Sequence, residues 1–246
     1  MAYETLAGAY DRLTQDIPYE DILLFYENTM ALFGCKPETV LDLACGTGSL
    51  SVLLAEKGYQ VLGADQSVEM LTQAYEKAMR LGDNKPYFVR QKMQSLRLPY
   101  PVDCAICCLD SLNYITKPED CCRAIQKVFD NLNPGGLFIF DINSECKLRG
   151  LDGQLFIDED DDVYCVWRAD FDEITRICTY GMDIFLREGQ IWRRSGEEHR
   201  EYAYTEAELT EWLKDAGFRE IRVFGDRRLD APKENEQRLF FAAKKE

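Results

Sequence analysis

The sequence predicts a doubly wound α/β fold, in which helices cover both faces of a mostly parallel sheet and a small antiparallel β-sheet is inserted. Three observations predict it. Short apolar runs alternate with helical patterns between residues 39 and 142, as in successive β-α-β crossovers. A glycine-containing turn links the first of these runs to a helix. The alternation then stops, and strand-like runs follow one another between residues 147 and 204.

Two helical patterns precede the first strand. Apolar residues recur at helical spacing from Tyr3 to Leu13 and from Ile22 to Phe33. Gly34 follows the second pattern, where a helix commonly ends. We therefore expect two amphipathic helices ahead of the main domain.

Strands and helices alternate in the next region. The strands are predicted at residues 40–44, 60–64, 87–90, 104–109 and 137–142, and the helices at about 50–57, 67–81 and 118–132. Ser67 is a suitable N-cap, Pro118 suits the first turn of a helix, and Gly58 and Gly82 end the helices before them. Residues 133–136, Asn-Pro-Gly-Gly, are predicted to form a turn.

The inserted region is predicted to be a small antiparallel sheet. Its strand-like runs lie at residues 163–167, 177–180 and 189–192. The acidic run at residues 158–162 is interpreted as a solvated turn. Consecutive carboxylates in a strand point alternately, and their spacing is not that of an EF-hand, so a cation site is disfavoured.

The last part of the chain returns to the main sheet. Thr205 and Glu208 have capping-box spacing for a helix that Gly217 ends, and residues 220–224 and 238–243 are the last strands. The predicted division is therefore residues 1–36 as N-terminal helices, 37–146 with 205–246 as the main domain, and 147–204 as an inserted β cap.

Composition excludes several classes of protein. Acidic residues outnumber basic ones by 44 to 29, for a net charge of −15, and the average field of such a protein repels a phosphate backbone, which disfavours nucleic acid. No stretch reaches the roughly 20 apolar residues that span a bilayer. The start of the chain has no basic and apolar signal segment, so we expect a cytoplasmic protein.

The ten cysteines are expected to be reduced thiols in the core. Cys104 and Cys107 have C-x-x-C spacing, but three residues apart on a buried strand they point to opposite faces. A zinc ion needs its ligands on one face, and no second pair lies at zinc-ribbon spacing. We expect no metal.

The strongest chemical signal is the segment Val-Leu-Asp-Leu-Ala-Cys-Gly-Thr-Gly at residues 40–48. A tight turn from strand to helix favours glycine, and the following helix presents free N–H groups. Asp65 ends the next strand, where an acidic residue can accept hydrogen bonds from a ribose. Both features would meet at the carboxyl ends of adjacent strands, the usual crevice for an adenosine ligand.

Together with the strand that ends at Leu109-Asp110-Ser111-Leu112-Asn113-Tyr114 and with residues 133–136, these motifs resemble the class I S-adenosylmethionine-dependent methyltransferases. The resemblance covers residues 3–141 motif by motif. It implies a seven-stranded sheet whose last strand is antiparallel, S-adenosylmethionine as cofactor, and N-terminal helices that cap its site. A nicotinamide enzyme is disfavoured, because Ser51 replaces the third glycine of its usual motif.

The resemblance also assigns roles at matching positions. The methionine end of the cofactor would be held by Asp42, Ala44, Gly46 and Gly48, the ribose by Asp65, and the adenosine by Gln66, Met70, Met93 and Gln94. The stretch from Leu109 to Asn113 would line the sulfonium. Tyr10 would cover the cofactor. Many relatives have glycine at the position of Ala44, and an acidic residue at that of Lys92, which cannot accept a hydrogen bond from adenine.

Three residues are candidates for catalysis. Asp110 and Tyr114 follow the fourth strand near the predicted sulfonium and could orient a methyl acceptor. His199, the single histidine, could be a general base. The alternative interpretation of His199 is a solvated polar segment between inserted strands.

Three functions remain open from the sequence. The favoured one is transfer of a methyl group to a nitrogen or oxygen of a small molecule, because the charge is acidic and the insertion is compact. The second is methylation of RNA or protein, which requires a basic strip; the candidates are Arg193, Arg194, Arg200, Arg227 and Arg228. The third is cofactor binding without catalysis. The oligomeric state stays undetermined.

Overall fold

The computed structural model of the chain describes Asp11, Thr14 and residues 16–246. In that part of the chain, eleven strands form two sheets. The strands of the main sheet are β1 (Thr39–Leu43), β2 (Gln60–Asp65), β3 (Tyr87–Arg90), β4 (Val102–Cys107), β5 (Leu132–Asn143), β10 (Ile221–Phe224) and β11 (Arg238–Lys244). Those of the inserted sheet are β6 (Leu155–Glu159), β7 (Val163–Asp172), β8 (Ile177–Glu188) and β9 (Ile191–Tyr202). The helices are α1 (Tyr19–Leu32), α2 (Ser49–Glu56), α3 (Val68–Ala78), α4 (Pro118–Asp130), α5 (Glu145–Gly150) and α6 (Glu206–Ala216).

The main sheet has the order β10-β11-β5-β4-β1-β2-β3. Strand β11 runs antiparallel to both of its neighbours, β5 and β10, and the other strand pairs are parallel. The expected seven-stranded sheet with an antiparallel last strand is therefore confirmed. Strands β1 and β4 lie at its centre, so the glycine turn after β1 is placed at the middle of the sheet edge.

The core lies on both faces of this sheet. One apolar cluster packs α4 and α6 against one face, and a second cluster packs α1 and α2 against the other. Cys107 belongs to the first cluster and Cys104 to the second, which confirms that the two thiols point to opposite faces. All ten cysteines are free thiols.

The boundaries of three predicted elements differ in the structure. Helix α4 ends at Asp130, and β5 begins at Leu132, so the predicted turn at residues 133–136 is an irregular part of a strand. The backbone there is paired with the end of the chain, because the Gly135 N–H donates to the Lys245 carbonyl. Helix α3 ends at Ala78 and continues as a 3₁₀ turn, Met79–Asn84.

The inserted sheet is larger than the sequence predicted. Its strands β8 and β9 each have 12 residues, and the Gly189-Gln190 pair, predicted as strand, is the hairpin turn between them. Strand β6 and helix α5 were not predicted, and the first two residues of the acidic run at 158–162 lie in β6. In the described part of the chain, no helix is long and apolar enough to cross a membrane.

Candidate active site

A cavity of about 460 Å³ opens at the carboxyl ends of β1, β2 and β4. The turn after β1 forms its floor, and the segment after β3 and strand β9 contribute two of its walls. This is where a parallel sheet collects the ends of its central strands. The glycine turn, Asp65 (the residue predicted to bind the ribose) and two residues of β9 therefore line one cavity.

In the turn after β1, every second residue has a left-handed backbone conformation. Ala44, Gly46 and Gly48 have φ values of +59°, +53° and +75°. A Cβ atom on Gly46 would find no atom within 4 Å, whereas one on Gly48 would lie 2.8 Å from the Ala74 Cβ. Gly46 thus keeps space open in the cavity, while Gly48, which does not line the cavity, permits α3 to pack closely.

Asp42 lines the cavity from beneath the turn. The Ser51 hydroxyl donates to its Oδ2 over 2.5 Å. Burial raises the pKa of Asp42 to about 7, although the Ser51 hydrogen bond opposes that shift. A carboxylate has about four acceptor sites, so Asp42 keeps capacity for a cationic ligand. Ser51, the residue that argued against a nicotinamide motif, therefore orients this carboxylate.

Asp65 is the last residue of β2, the strand next to β1. Its Oδ2 accepts from the Gly46 N–H over 3.0 Å and its Oδ1 from the Ser67 N–H over 2.8 Å. Burial raises the pKa of Asp65, and these backbone hydrogen bonds act against that change. The carboxylate thereby ties the glycine turn to the start of α3, and its side chain lines the cavity.

The wall on the β3 side comes from residues that the resemblance assigned to adenosine. Gln66, Met70, Met93 and Gln94 all line the cavity. Met93–Ser95 forms a 3₁₀ turn directly after β3. Lys92 lies beside them in the same wall, so a cation occupies the position where many relatives carry an acid.

The turn after β4 is strained and tightly held. Leu109 and Asp110 are consecutive left-handed residues, with φ values of +57° and +50°, and this conformation costs a residue other than glycine about 1–2 kcal/mol. Asp141, on the adjacent strand β5, accepts from the Leu109 N–H over 2.8 Å and from the Asp110 N–H over 3.0 Å. Leu109 lines the cavity.

Asp110 and Asn113 are not among the residues that line this cavity, although Leu109 and Ser111 beside them are. The Asp110 carboxylate pairs with the Arg238 guanidinium at 2.6 Å. Asn113 is fully buried; its amide donates to the Asn143 and Tyr202 carbonyls, and its oxygen accepts from the Asn143 N–H. The polar atoms of both side chains therefore have partners within the protein, and these contacts connect the turn after β4 to β5, β9 and β11.

Strand β9 brings side chains of opposite charge to the cavity. Glu198 and Arg200 line it and form an ion pair at 2.8 Å, with exposed fractions of 56% and 59%. Because side chains alternate along a strand, His199 points to the other face of the sheet. Arg200 was named only as a candidate for a basic strip, and Glu198 was not predicted to lie at the site.

His199 is buried, so its interpretation as part of a solvated segment was wrong. It is 3% exposed, and its Nε2 lies 3.0 Å from the Glu197 Oε2. Its ring meets that of Tyr114 edge-on, with centroids 5.9 Å apart. Tyr114 itself lines the cavity. Two of the three catalytic candidates are therefore in contact, and of these two only Tyr114 lines the cavity.

Asp11 also contacts the glycine turn. The Thr47 hydroxyl donates to Asp11 over 2.6 Å, and Lys77 pairs with the same carboxylate at 2.8 Å. Tyr19, at the start of α1, lines the cavity. Tyr10 lies outside the described residues.

Several lining residues were not predicted; they are Tyr19, Cys45, Thr47, Leu50, Ala64, Ser67, Gln91, Cys108, Ile115, Thr116, Lys117, Asp120 and Glu198. Thr116 and Lys117 lie just after the segment named at the end of β4, so extending that motif would have found them. Tyr19 and Glu198 carry no local signal, because only the folded chain brings α1 and β9 to the sheet edge.

The lining fits a cationic adenosine cofactor. Asp42 and Asp65 supply carboxylates in a partly buried space, where attraction to a cation is stronger than in water. The open space at Gly46 permits a ligand to approach the backbone closely. Within the part of the chain that the structure describes, no group of three metal-ligating side chains comes together.

Comparison with known proteins shows the family of the chain. A family model described as a methyltransferase domain matches residues 40–136. The chain is 34% identical to the Bacillus subtilis protein YqeM, which is named as a methyltransferase, over 100% of this chain and 98% of the relative.

Two solved structures have the same fold. One is an S-adenosylmethionine-dependent methyltransferase from Clostridium acetobutylicum, with 31% identity, coverage of 100% and 99% of the two chains, and a TM-score of 0.89. The other is CalS10, an amino pentose methyltransferase from Micromonospora echinaspora, with 18% identity, coverage of 99% and 98%, and a TM-score of 0.77.

Proposed function

The chain belongs to the class I S-adenosylmethionine-dependent methyltransferases, and on that premise we propose that it methylates a nitrogen or oxygen of a small, polar acceptor. The observation that carries this proposal is the Glu198–Arg200 ion pair in the same cavity as the glycine turn. Burying an apolar acceptor against two charges would remove their hydration without a replacement. An acceptor with charged or hydrogen-bonding groups compensates for that loss.

We assign the cofactor half of the cavity to lining residues that match the family motifs. They are Asp42, Ala44, Gly46, Asp65, Gln66, Met70, Met93, Gln94 and Leu109. Asp42 would pair with the ammonium of the methionine moiety, and Asp65 would accept hydrogen bonds from the ribose. Gly48 and Asn113 support this half through packing and hydrogen bonds.

We assign the acceptor half to Tyr114, Glu198 and Arg200. S-adenosylmethionine supplies a methyl group that is already activated on a sulfonium. The protein then has to align the acceptor and exclude water. Glu198 would hold an ammonium or hydroxyl of the acceptor, and Arg200 a carboxylate or hydroxyl. Tyr114 would fix the acceptor's orientation, with the buried His199 packed against its ring.

The alternative of an RNA substrate receives no support from the surface charge. Each candidate arginine of a basic strip is paired with an acid, in the pairs Arg193–Glu188, Arg194–Asp183, Arg200–Glu198, Arg227–Asp226 and Arg228–Glu236. Paired arginines contribute little net field for a phosphate backbone. We also propose a cytoplasmic location, which the ten free thiols support, and we retain the division at residues 36, 146 and 204 as a proposal.

The test is a screen of acceptors by release of S-adenosylhomocysteine. Amino acids, amino sugars and polyols are compared with an apolar phenol and with RNA, using S-adenosylmethionine as donor. We expect turnover with a polar acceptor. Preference for the phenol or for RNA would contradict the proposal, and binding of cofactor without turnover of any acceptor would favour the non-catalytic alternative.

Arg200→Ala tests the acceptor half, and Arg194→Ala is its matched control. Both arginines lie on the same face of β9 in ion pairs with acids, but Arg194 does not line the cavity. We expect Arg200→Ala to raise the acceptor KM by about tenfold, because it removes a charged hydrogen-bond partner. Arg200→Ala should keep the native affinity for S-adenosylhomocysteine. Arg194→Ala should keep both that affinity and the native acceptor KM. Equal effects of both substitutions would refute the assignment.

A further inference from the structure

A buried carboxylate on β5 is the centre of a network that surrounds the turn after β4. Asp141 is 1% exposed and accepts from the Leu109 and Asp110 N–H groups. It also pairs with the Arg238 guanidinium, and the Tyr26 hydroxyl of α1 lies 3.5 Å away. One side chain therefore joins two parallel strands, the antiparallel strand β11 and helix α1 to a single turn.

The turn after β4 depends on the hydrogen bonds to Asp141 because its backbone is strained. Leu109 and Asp110 adopt successive left-handed conformations, and such conformations persist only where the surrounding structure enforces them. Without an acceptor for both N–H groups, the chain would relax towards ordinary backbone angles. Cys108, Leu109 and Ser111 line the cavity, so relaxation would change the shape of the cavity wall.

We propose that Asp141 is a positioning residue, which holds the turn at residues 108–111 in the shape that receives the reactive end of the cofactor. It touches neither cofactor nor acceptor, and it acts through the backbone of Leu109 and Asp110. Arg238 completes the arrangement, because it bridges Asp141 and the Asp110 carboxylate and so fixes both sides of the turn. The proposal rests on the proposed function only in taking this cavity as the S-adenosylmethionine site.

The test is Asp141→Asn, followed by two measurements. The asparagine amide has a single acceptor oxygen, so at least one N–H of the turn loses its partner. Hydrogen-exchange mass spectrometry should show faster exchange in the peptide that contains Leu109 and Asp110. Calorimetric titration should show an affinity for S-adenosylhomocysteine reduced on the order of tenfold, the effect of one lost hydrogen bond to a charged group.

Asp103→Asn is the matched control. Asp103 also accepts from two backbone N–H groups, those of Glu38 and Thr39, each over 3.0 Å, but at the opposite end of the same sheet. Both bonds end on Oδ2, and Oδ1 accepts from the Asn133 amide over 2.8 Å, so an asparagine at this position loses the partners of one oxygen. This variant should lose stability, with unchanged affinity for S-adenosylhomocysteine.

The outcomes separate the possibilities. Unchanged exchange at Leu109 and Asp110 in Asp141→Asn would overturn the proposal, and so would an equal loss of affinity in the two variants. If the native protein failed to bind S-adenosylhomocysteine, the proposed site would be wrong, whereas the exchange measurement would still decide whether Asp141 holds the turn.

Discussion

Gly46 and Gly48 lie two residues apart in one turn, yet replacing each with alanine should damage different properties. Both residues have positive φ, so each substitution costs about 1 kcal/mol of left-handed strain. Gly34, after α1, has φ of +64°, and a Cβ added there would find no atom within 4 Å. Gly34→Ala therefore measures the strain alone, at a site far from the glycine turn.

At Gly48 the added methyl group also meets the protein. Its Cβ would lie 2.8 Å from the Ala74 Cβ and 3.2 Å from both the Ala74 Cα and the Phe88 Cζ. Since Ala74 is on α3 and cannot rotate away, the helix must move, and overpacking of this kind costs about 1–3 kcal/mol. We expect a total loss of about 3 kcal/mol, which lowers the Tm by roughly 6–12 °C, against roughly 2–4 °C for Gly34→Ala.

At Gly46 the added methyl group meets no protein atom but enters the cavity. We expect Gly46→Ala to lose only as much stability as Gly34→Ala, while its affinity for S-adenosylhomocysteine falls by at least about tenfold because the ligand cannot approach the backbone. Thermal unfolding and calorimetric titration of the three variants check both statements. Native affinity in Gly46→Ala would show that the cofactor does not lie against this residue. A Gly48→Ala variant as stable as Gly34→Ala would refute the packing argument.

Three further predictions follow from single residues. Ala44 has φ of +59°, so Ala44→Gly should leave stability in urea unchanged or raise it by up to about 1 kcal/mol, and a larger loss would contradict the strain. Burial raises the pKa of Asp42 to about 7, so affinity for the S-adenosylmethionine cation should rise between about pH 6 and pH 8 and stay flat in Asp42→Asn. The hydrogen bond from Arg176 lowers the pKa of Glu208 to about 2 from 4.5. This group therefore stabilises the fold above the unfolded pKa, and its contribution is lost as pH falls through about 2. Urea unfolding of Glu208→Gln should lack that component of acid destabilisation.

The cofactor half of the site could be predicted because its signals are local. A strand, a turn with glycine and an acid at the next strand end are short patterns, and the parallel sheet brings the strand ends together by topology alone. Asp42 and Asp65 were recognisable in this way. The hydrogen bonds of Asp110 and Asn113 could not be predicted in this way, since their partners Arg238 and Asn143 are distant in sequence.

The part of the proposed acceptor half that lies on β9 could not be predicted, because β9 lacks alternation of apolar and polar residues. Its sequence, Ile-Trp-Arg-Arg-Ser-Gly-Glu-Glu-His-Arg-Glu-Tyr, carries polar residues on both faces. Hydrophobic periodicity therefore does not reveal that His199 and Glu201 are buried or that Glu198 and Arg200 face the cavity. Burial of Glu201 raises its pKa to about 8, which again depends on neighbours that only the folded chain supplies.

This difference has a functional consequence. The cofactor half depends on backbone geometry at the ends of central strands, so few substitutions there preserve it. The acceptor half depends on side chains of β9, whose backbone pairs with β8 through the whole of its length. Changes at Glu198 or Arg200 leave that pairing intact, since only the side chains differ. The inserted sheet can therefore alter which acceptor is bound without disturbing the cofactor site, and the identity of the acceptor has to be sought in the residues of β9 that face the cavity.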